Sequence, residues 1–167
     1  EHSVATYYTI ATSEASTNLA RYDGLRYGQQ PEPTGSYHEW ASENRGTMFS
    51  AEEKRRVILG TYIRTVGYDE KLYERAKTAQ QHIKDEHSEA FNDVDAILTP
   101  AMPFAHKTIE AAQQESPAET YAADMLTIPP MLANLPHVAL PSIPGGLHVI
   151  TPQHTDKALI REAEAFL

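Results

Sequence analysis

Three short apolar runs, Val94 to Leu98, His137 to Leu140 and Gly146 to Ile150, alternate with helical patterns, and this alternation constrains the fold more than any other feature. Runs of that length suit buried strands better than helices, and turn residues border them: Thr99-Pro100 follows the first, Pro141 the second, and Gly145 precedes the third. Helices interleaved with a few buried strands favour an α/β layered architecture with one sheet. The helices from Ala51 to Val66 and from Asp69 to Phe91 are expected to pack against it.

The helical patterns have identifiable starts and stops. From Ala5 to Leu19, residues Tyr8, Ala11, Ala15 and Leu19 fall at helical spacing, with Gly24 as a stop. Residues 28–47, with three glycines and two prolines, carry no sustained period and predict a loop. Ser50 and Glu53 form a capping box that opens a helix with Val57, Ile58, Tyr62 and Val66 as its apolar stripe, ended by Gly67. The next helix turns Leu72, Ala76, Ala79, Ile83, Ala90 and Phe91 to one face. A helix from about Ala118 to Thr127 is expected to break at Ile128 and Pro129-Pro130. Thr155 is expected to cap a last helix containing Leu159, Ile160, Ala163 and Phe166.

Composition narrows the function classes. The 167 residues suit one compact unit that buries its own core. With 14 Lys+Arg against 23 Asp+Glu, the net charge of −9 disfavours direct gripping of a phosphate backbone. Cysteine is absent, and no apolar run reaches the roughly 20 residues a membrane span needs, so a soluble, cytoplasmic protein without membrane partners is expected. The chain opens at Glu1 in mid-pattern and stops at Leu167 inside a helical one, which predicts a fragment. There is no nucleophile elbow, phosphate loop, dinucleotide fingerprint or His-Glu-x-x-His. Of the eight histidines, His82 and His87 share a helix but point about 140° apart, and His106, His137 and His148 lie near strands, so no metal site is predicted.

The string from Thr6 to Gly28, TYYTIATSEASTNLARYDGLRYG, resembles the segment that distinguishes the A subunits of glutamyl-tRNA(Gln)/aspartyl-tRNA(Asn) amidotransferases within the amidase-signature family. Further matches follow in order: Glu52 to Gly60, Asp95 to Pro100, Tyr121 to Pro129 and Asn134 to Pro141. Two departures stand out: Met48-Phe49-Ser50 where the family has Gly-Phe-Gly, and a shortened turn from Pro141 to His148. The resemblance implies that residues 1–167 are the C-terminal portion of a single amidase-signature domain, a mixed sheet flanked by helices, here truncated.

The resemblance also implies a function. Such A subunits are glutaminases whose Lys–cis-Ser–Ser triad sits in the N-terminal half. No Gly-Gly-Ser-Ser-Gly-Gly-Ser pattern occurs here, so no catalytic residue and no cofactor is assigned to this chain. Their ammonia passes to a B subunit that uses ATP and Mg to amidate Glu-tRNA(Gln) or Asp-tRNA(Asn), with a C subunit completing the heterotrimer. Three glutamine-pocket residues carry over: Tyr7, Arg56 (the second arginine of Lys54-Arg55-Arg56) and Asp124. A guanidinium suits an α-carboxylate and a carboxylate suits an α-ammonium. Alternatives are a stand-alone amidase or a noncatalytic interaction module derived from the family.

Overall fold

The computed structural model describes every residue except 1, 25, 29–31, 33, 66–70, 106, 143, 144 and 167. It is an α/β structure with helices α1 (Ser3–Leu19), α2 (Tyr37–Met48), α3 (Ala51–Thr65), α4 (Leu72–Ala90), α5 (Ile109–Gln113), α6 (Pro117–Ala122), α7 (Ile128–Leu132) and α8 (Asp156–Glu164). The strands are β1 (Ile97–Pro100), β2 (His137–Leu140) and β3 (Leu147–Ile150). The chain divides into two compact units, Tyr8–Ala76 and the remainder, Glu1–Tyr7 with Lys77–Leu167. No described helix is long and apolar enough to cross a membrane.

The strand-bearing unit holds all three expected strands in one antiparallel sheet of order β1-β3-β2. β2 and β3 form a hairpin in which His137 faces Ile150 and Leu140 faces Leu147. On the other side Ile97 pairs with Ile150 and Pro100 with Leu147. β1 starts three residues later than the sequence pattern suggested. As an edge strand it can include Pro100, which has no N–H to give to a ladder. The ladder runs on into the loop, where Ala101 and Met102 donate to the carbonyls of Gly146 and Gly145 at 3.0 Å. Gly145 and Gly146 sit at φ +86° and +78° with carbonyls or side chains 3.2–3.3 Å from where a Cβ would be, so only glycine fits without strain.

Alternation along the strands gives the sheet two faces. Val138, Leu140, Leu147 and Val149 share one, and Leu159 and Ala163, four residues apart on α8, complete that core. It is α8 that covers this face, a place the amphipathic patterns suggested for the longer helices. Ile160, expected on the same stripe, is 61% exposed. Thr155 precedes α8 but makes no side-chain cap; its hydroxyl donates to the Pro152 carbonyl.

The helix expected from about Ala118 to Thr127 is α6, which gives way at Ala123–Leu126 to a 3-10 turn and ends before Ile128 as expected; the proline pair also starts the next helix. Pro129 and Pro130 occupy the first turn of α7, where the missing N–H costs nothing. α7 then ends in a Schellman motif: Asn134 takes φ +57°, Leu135 donates to the Pro130 carbonyl and Asn134 to that of Met131. Gln80 of α4 and Gln153 donate to the Leu132 and Ala133 carbonyls, both at 3.0 Å, so these buried C-terminal carbonyls are satisfied.

The other unit, Tyr8–Ala76, is helical. α2 lies in the segment expected to be a loop. It is opened by a capping box, Ser36 accepting from the Glu39 N–H while the Glu39 carboxylate accepts from the Ser36 N–H at 2.9 Å. Asn44 donates to the Asp23 carbonyl, Arg45 to that of Ala20, and Trp40 is buried. α3 opens with the Ser50–Glu53 box as expected. Its buried contact is Gly60, which lies against Thr12 and Ser16 of α1 so closely that a Cβ would sit 1.9 Å from the Thr12 carbonyl oxygen. The small buried residues Thr12, Ser13 and Ser16 make that approach possible. The expected apolar stripe therefore faces outward in part, with Ile58 69% and Tyr62 50% exposed. Its continuation at Val66 and Gly67 falls outside the described residues.

Candidate functional site

Of the three residues expected to bind glutamine, Tyr7 is half-buried in α1. Asp124 is exposed and sits in the 3-10 turn Ala123–Leu126 that leads into α7. Its carbonyl accepts from the N–H and hydroxyl of Thr127 at 3.0 and 3.2 Å, which fixes the turn. Tyr7 and Asp124 belong to the strand-bearing unit and Arg56 to the helical one.

Arg56 lies in the second turn of α3, partly exposed. Its Nε donates to Glu52 Oε1 at 2.9 Å, one helical turn back, and Arg55 pairs with the other oxygen of the same carboxylate. Glu52 is in the first turn, where a negative side chain complements the helix dipole. One carboxylate thus restrains two neighbouring, partly exposed guanidiniums. The spacing of Glu, Arg and Arg at i, i+3 and i+4 is the signal in the sequence that points to this arrangement.

The histidines separate into two cases. His87 Nδ1 is 2.7 Å from the Ile83 carbonyl, so that ring nitrogen acts as a donor within α4, and His82 is exposed. His137 and His148, on opposite strands of the hairpin, do meet: Nδ1 of the former is 2.9 Å from Nε2 of the latter, with the rings edge to face. His148 is 1% exposed, and among the described residues its Nδ1 and the Thr99 and Thr151 hydroxyls have no hydrogen-bond partner. Burial pushes both imidazoles below their usual pKa, and for His148 the proximity of His137 adds to this. One nitrogen of the contact must donate and the other accept, so at least one of the two imidazoles is neutral. The diagonal placement of positions 137 and 148 follows from the hairpin register, which the sequence alone left open. Among the described residues no three His, Cys, Asp or Glu side chains gather as a metal-binding group. His106 lies outside them.

The family profile described as Amidase matches residues 1–160, and the chain belongs to that family. Within it, the chain is 39% identical to the glutamyl-tRNA(Gln) amidotransferase A subunit of Haloarcula marismortui, over 99% of this chain and 40% of that protein. It is 37% identical to the A subunit of the same name from Symbiobacterium thermophilum, over 99% of this chain and 35% of the relative. The crystal structure of the glutamyl-tRNA(Gln) amidotransferase A subunit from Thermotoga maritima superposes with a TM-score of 0.62 at 32% identity, covering 98% of this chain and 31% of the other. The chain thus spans between 35% and 40% of the length of these curated relatives.

Proposed function

We propose that this chain is part of the glutaminase subunit of a tRNA-dependent amidotransferase and supplies part of the glutamine pocket. The observation that carries this reading is the similarity to amidotransferase A subunits over 99% of the chain. In this reading Arg56 holds the α-carboxylate of glutamine with parallel N–H donors, Asp124 accepts from the α-ammonium, and Tyr7 lines the pocket. The amide is cleaved by the Lys–cis-Ser–Ser triad, which has no counterpart in this sequence. Ammonia then passes to the B subunit, which uses ATP and Mg to convert Glu-tRNA(Gln) or Asp-tRNA(Asn) to the amidated product, with the C subunit as third partner.

The test is made in the complete heterotrimer. Arg56→Lys keeps the charge but loses the forked donors, and charge-assisted bonds of about 1.5–3 kcal/mol each imply a loss of about tenfold or more in glutamine-driven amidation. Asp124→Asn should act in the same direction. Ammonium salts bypass the pocket, so ammonium-driven amidation should survive both changes. An equal fall in both activities would show that the residues are structural. The chain by itself should release no ammonia from glutamine, since positioning a substrate cannot replace a nucleophile and its base. Glutamate production by the purified chain would overturn that expectation.

A further inference from the structure

Within the helical unit, α3 lines a surface groove of about 450 Å³ together with the C-terminal ends of α1 and α2. α3 contributes Lys54, Val57, Ile58, Thr61 and Arg64, a stripe from the first to the last of eleven residues, or about 15 Å of helix axis. Leu19 and Phe49 supply apolar surface opposite. Ile58 is the most exposed large apolar side chain among the described residues of the unit, at 69%, so this stripe is a helix face that the unit does not cover.

Charge sets the groove apart from the rest of the molecule. The chain carries −9 overall, yet among the described residues the groove is lined by Arg45, Lys54 and Arg64 and by no carboxylate. Lys54 and Arg45 are positioned by bonds to the Gly46 and Ala20 carbonyls, and among the described residues neither forms an ion pair. Lys54 and Arg64 stand at opposite ends of the stripe with the apolar residues between them.

From this we infer that the groove docks an acidic amphipathic helix of a partner protein. Its apolar face would lie along Val57 and Ile58, with carboxylates at its two ends meeting Lys54 and Arg64. An elongated apolar floor with cations at both ends matches the helix-in-groove mode of recognition. The cationic rim favours acidic partners and repels basic ones. This site does not include Tyr7, Arg56 or Asp124, so its test is independent of the glutamine reading.

The experiment is fluorescence anisotropy of the protein with a labelled peptide of about 14 residues, long enough to span the stripe as a helix. The peptide carries leucines at i, i+4 and i+7 and glutamates at both ends. A second peptide with lysines for glutamates and a single-stranded RNA of about the same length serve as controls. The acidic peptide should bind saturably, about tenfold or more tighter than the basic one, and weaken as salt is raised. Ile58→Asp and Arg64→Glu, both at exposed positions, should each reduce its affinity about tenfold with an unchanged far-UV spectrum. Should either variant fail to fold, the other carries the test. Equal binding of both peptides, no binding of the acidic one, or indifference to both substitutions would overturn the inference. So would RNA binding lost in the variants without peptide binding, or self-association abolished by Ile58→Asp, which would make a second copy the occupant.

Discussion

Two glycines inside helices should respond to the same substitution with opposite signs. An exposed helical Gly→Ala change ordinarily stabilises by about 0.5–1 kcal/mol, because alanine loses less backbone entropy on folding. Gly46 in α2 has nothing within 4 Å of the added Cβ and should show that gain. At Gly60 the Cβ would sit 1.9 Å from the Thr12 carbonyl oxygen and 2.7 Å from Ser16 Cβ, where ordinary contact begins at 3.4 Å. α1 and α3 must therefore part by about 1.5 Å (3.4 minus 1.9) at their closest point. A gap of half to one ångström already forfeits about a quarter to a half of the dispersion well, so most of the contact there is lost. Overpacking costs roughly 1–3 kcal/mol, occasionally more, and an obstructing backbone carbonyl cannot rotate away as a side chain would. After the propensity gain is subtracted, Gly60→Ala should destabilise by about 2 kcal/mol. At roughly 2–4 °C per kcal/mol, the melting temperature should fall by about 4–8 °C, whereas Gly46→Ala should raise it by about 1–4 °C. Thermal unfolding followed by far-UV circular dichroism measures both. If the two variants shift in the same direction, the close crossing of α1 and α3 at Gly60 is wrong.

The buried His137–His148 pair gives stability a pH dependence. Folded-state pKa values below the usual 6.5 mean that the unfolded chain binds more protons in acid, so the contribution is complete above pH 6.5 and is lost as pH falls through the depressed values. The urea midpoint should fall more steeply between pH 7.5 and 5 than in His148→Gln; identical profiles would show that the pair does not titrate against folding. Ser36→Ala should remove the cap of α2 and lower its helicity, read as faster amide hydrogen exchange near Glu39, while the same change at Ser3, the first residue of α1, should leave that region unaltered. On the proposed function, Arg56→Lys and Asp124→Asn in the complete enzyme should separate glutamine-driven from ammonium-driven amidation; loss of both together would count against a glutamine pocket.

Local chemistry accounts for what the sequence determined. The apolar run His137 to Leu140 is β2, and the capping box at Ser50 opens α3, because a short apolar run bounded by turn residues and a hydroxyl three residues ahead of a glutamate act within a few residues of themselves. A capping box at Ser36 and Glu39 carried the same signal for α2, but the loop expectation for residues 28–47 rested on their glycines and prolines and passed it over. Pro129-Pro130 was ambiguous for a similar reason, since proline ends a helix it follows and suits the first turn of one it begins. The family was legible too, as residue strings.

Tertiary structure decided which surfaces meet. The patterns of α4 and α8 were each amphipathic, and only packing placed α8 against the face formed by Val138, Leu140, Leu147 and Val149. The sheet register brought His137 to His148 across a hairpin whose strands lie six residues apart, a contact that vanishes with a one-residue slip. Gly60 turned α3 so that its least bulky position faces α1, leaving Ile58 and Tyr62 outward. A periodic pattern specifies that a helix has an apolar face; close packing is a property of two surfaces together, and the partner surface is not encoded in the period of either one.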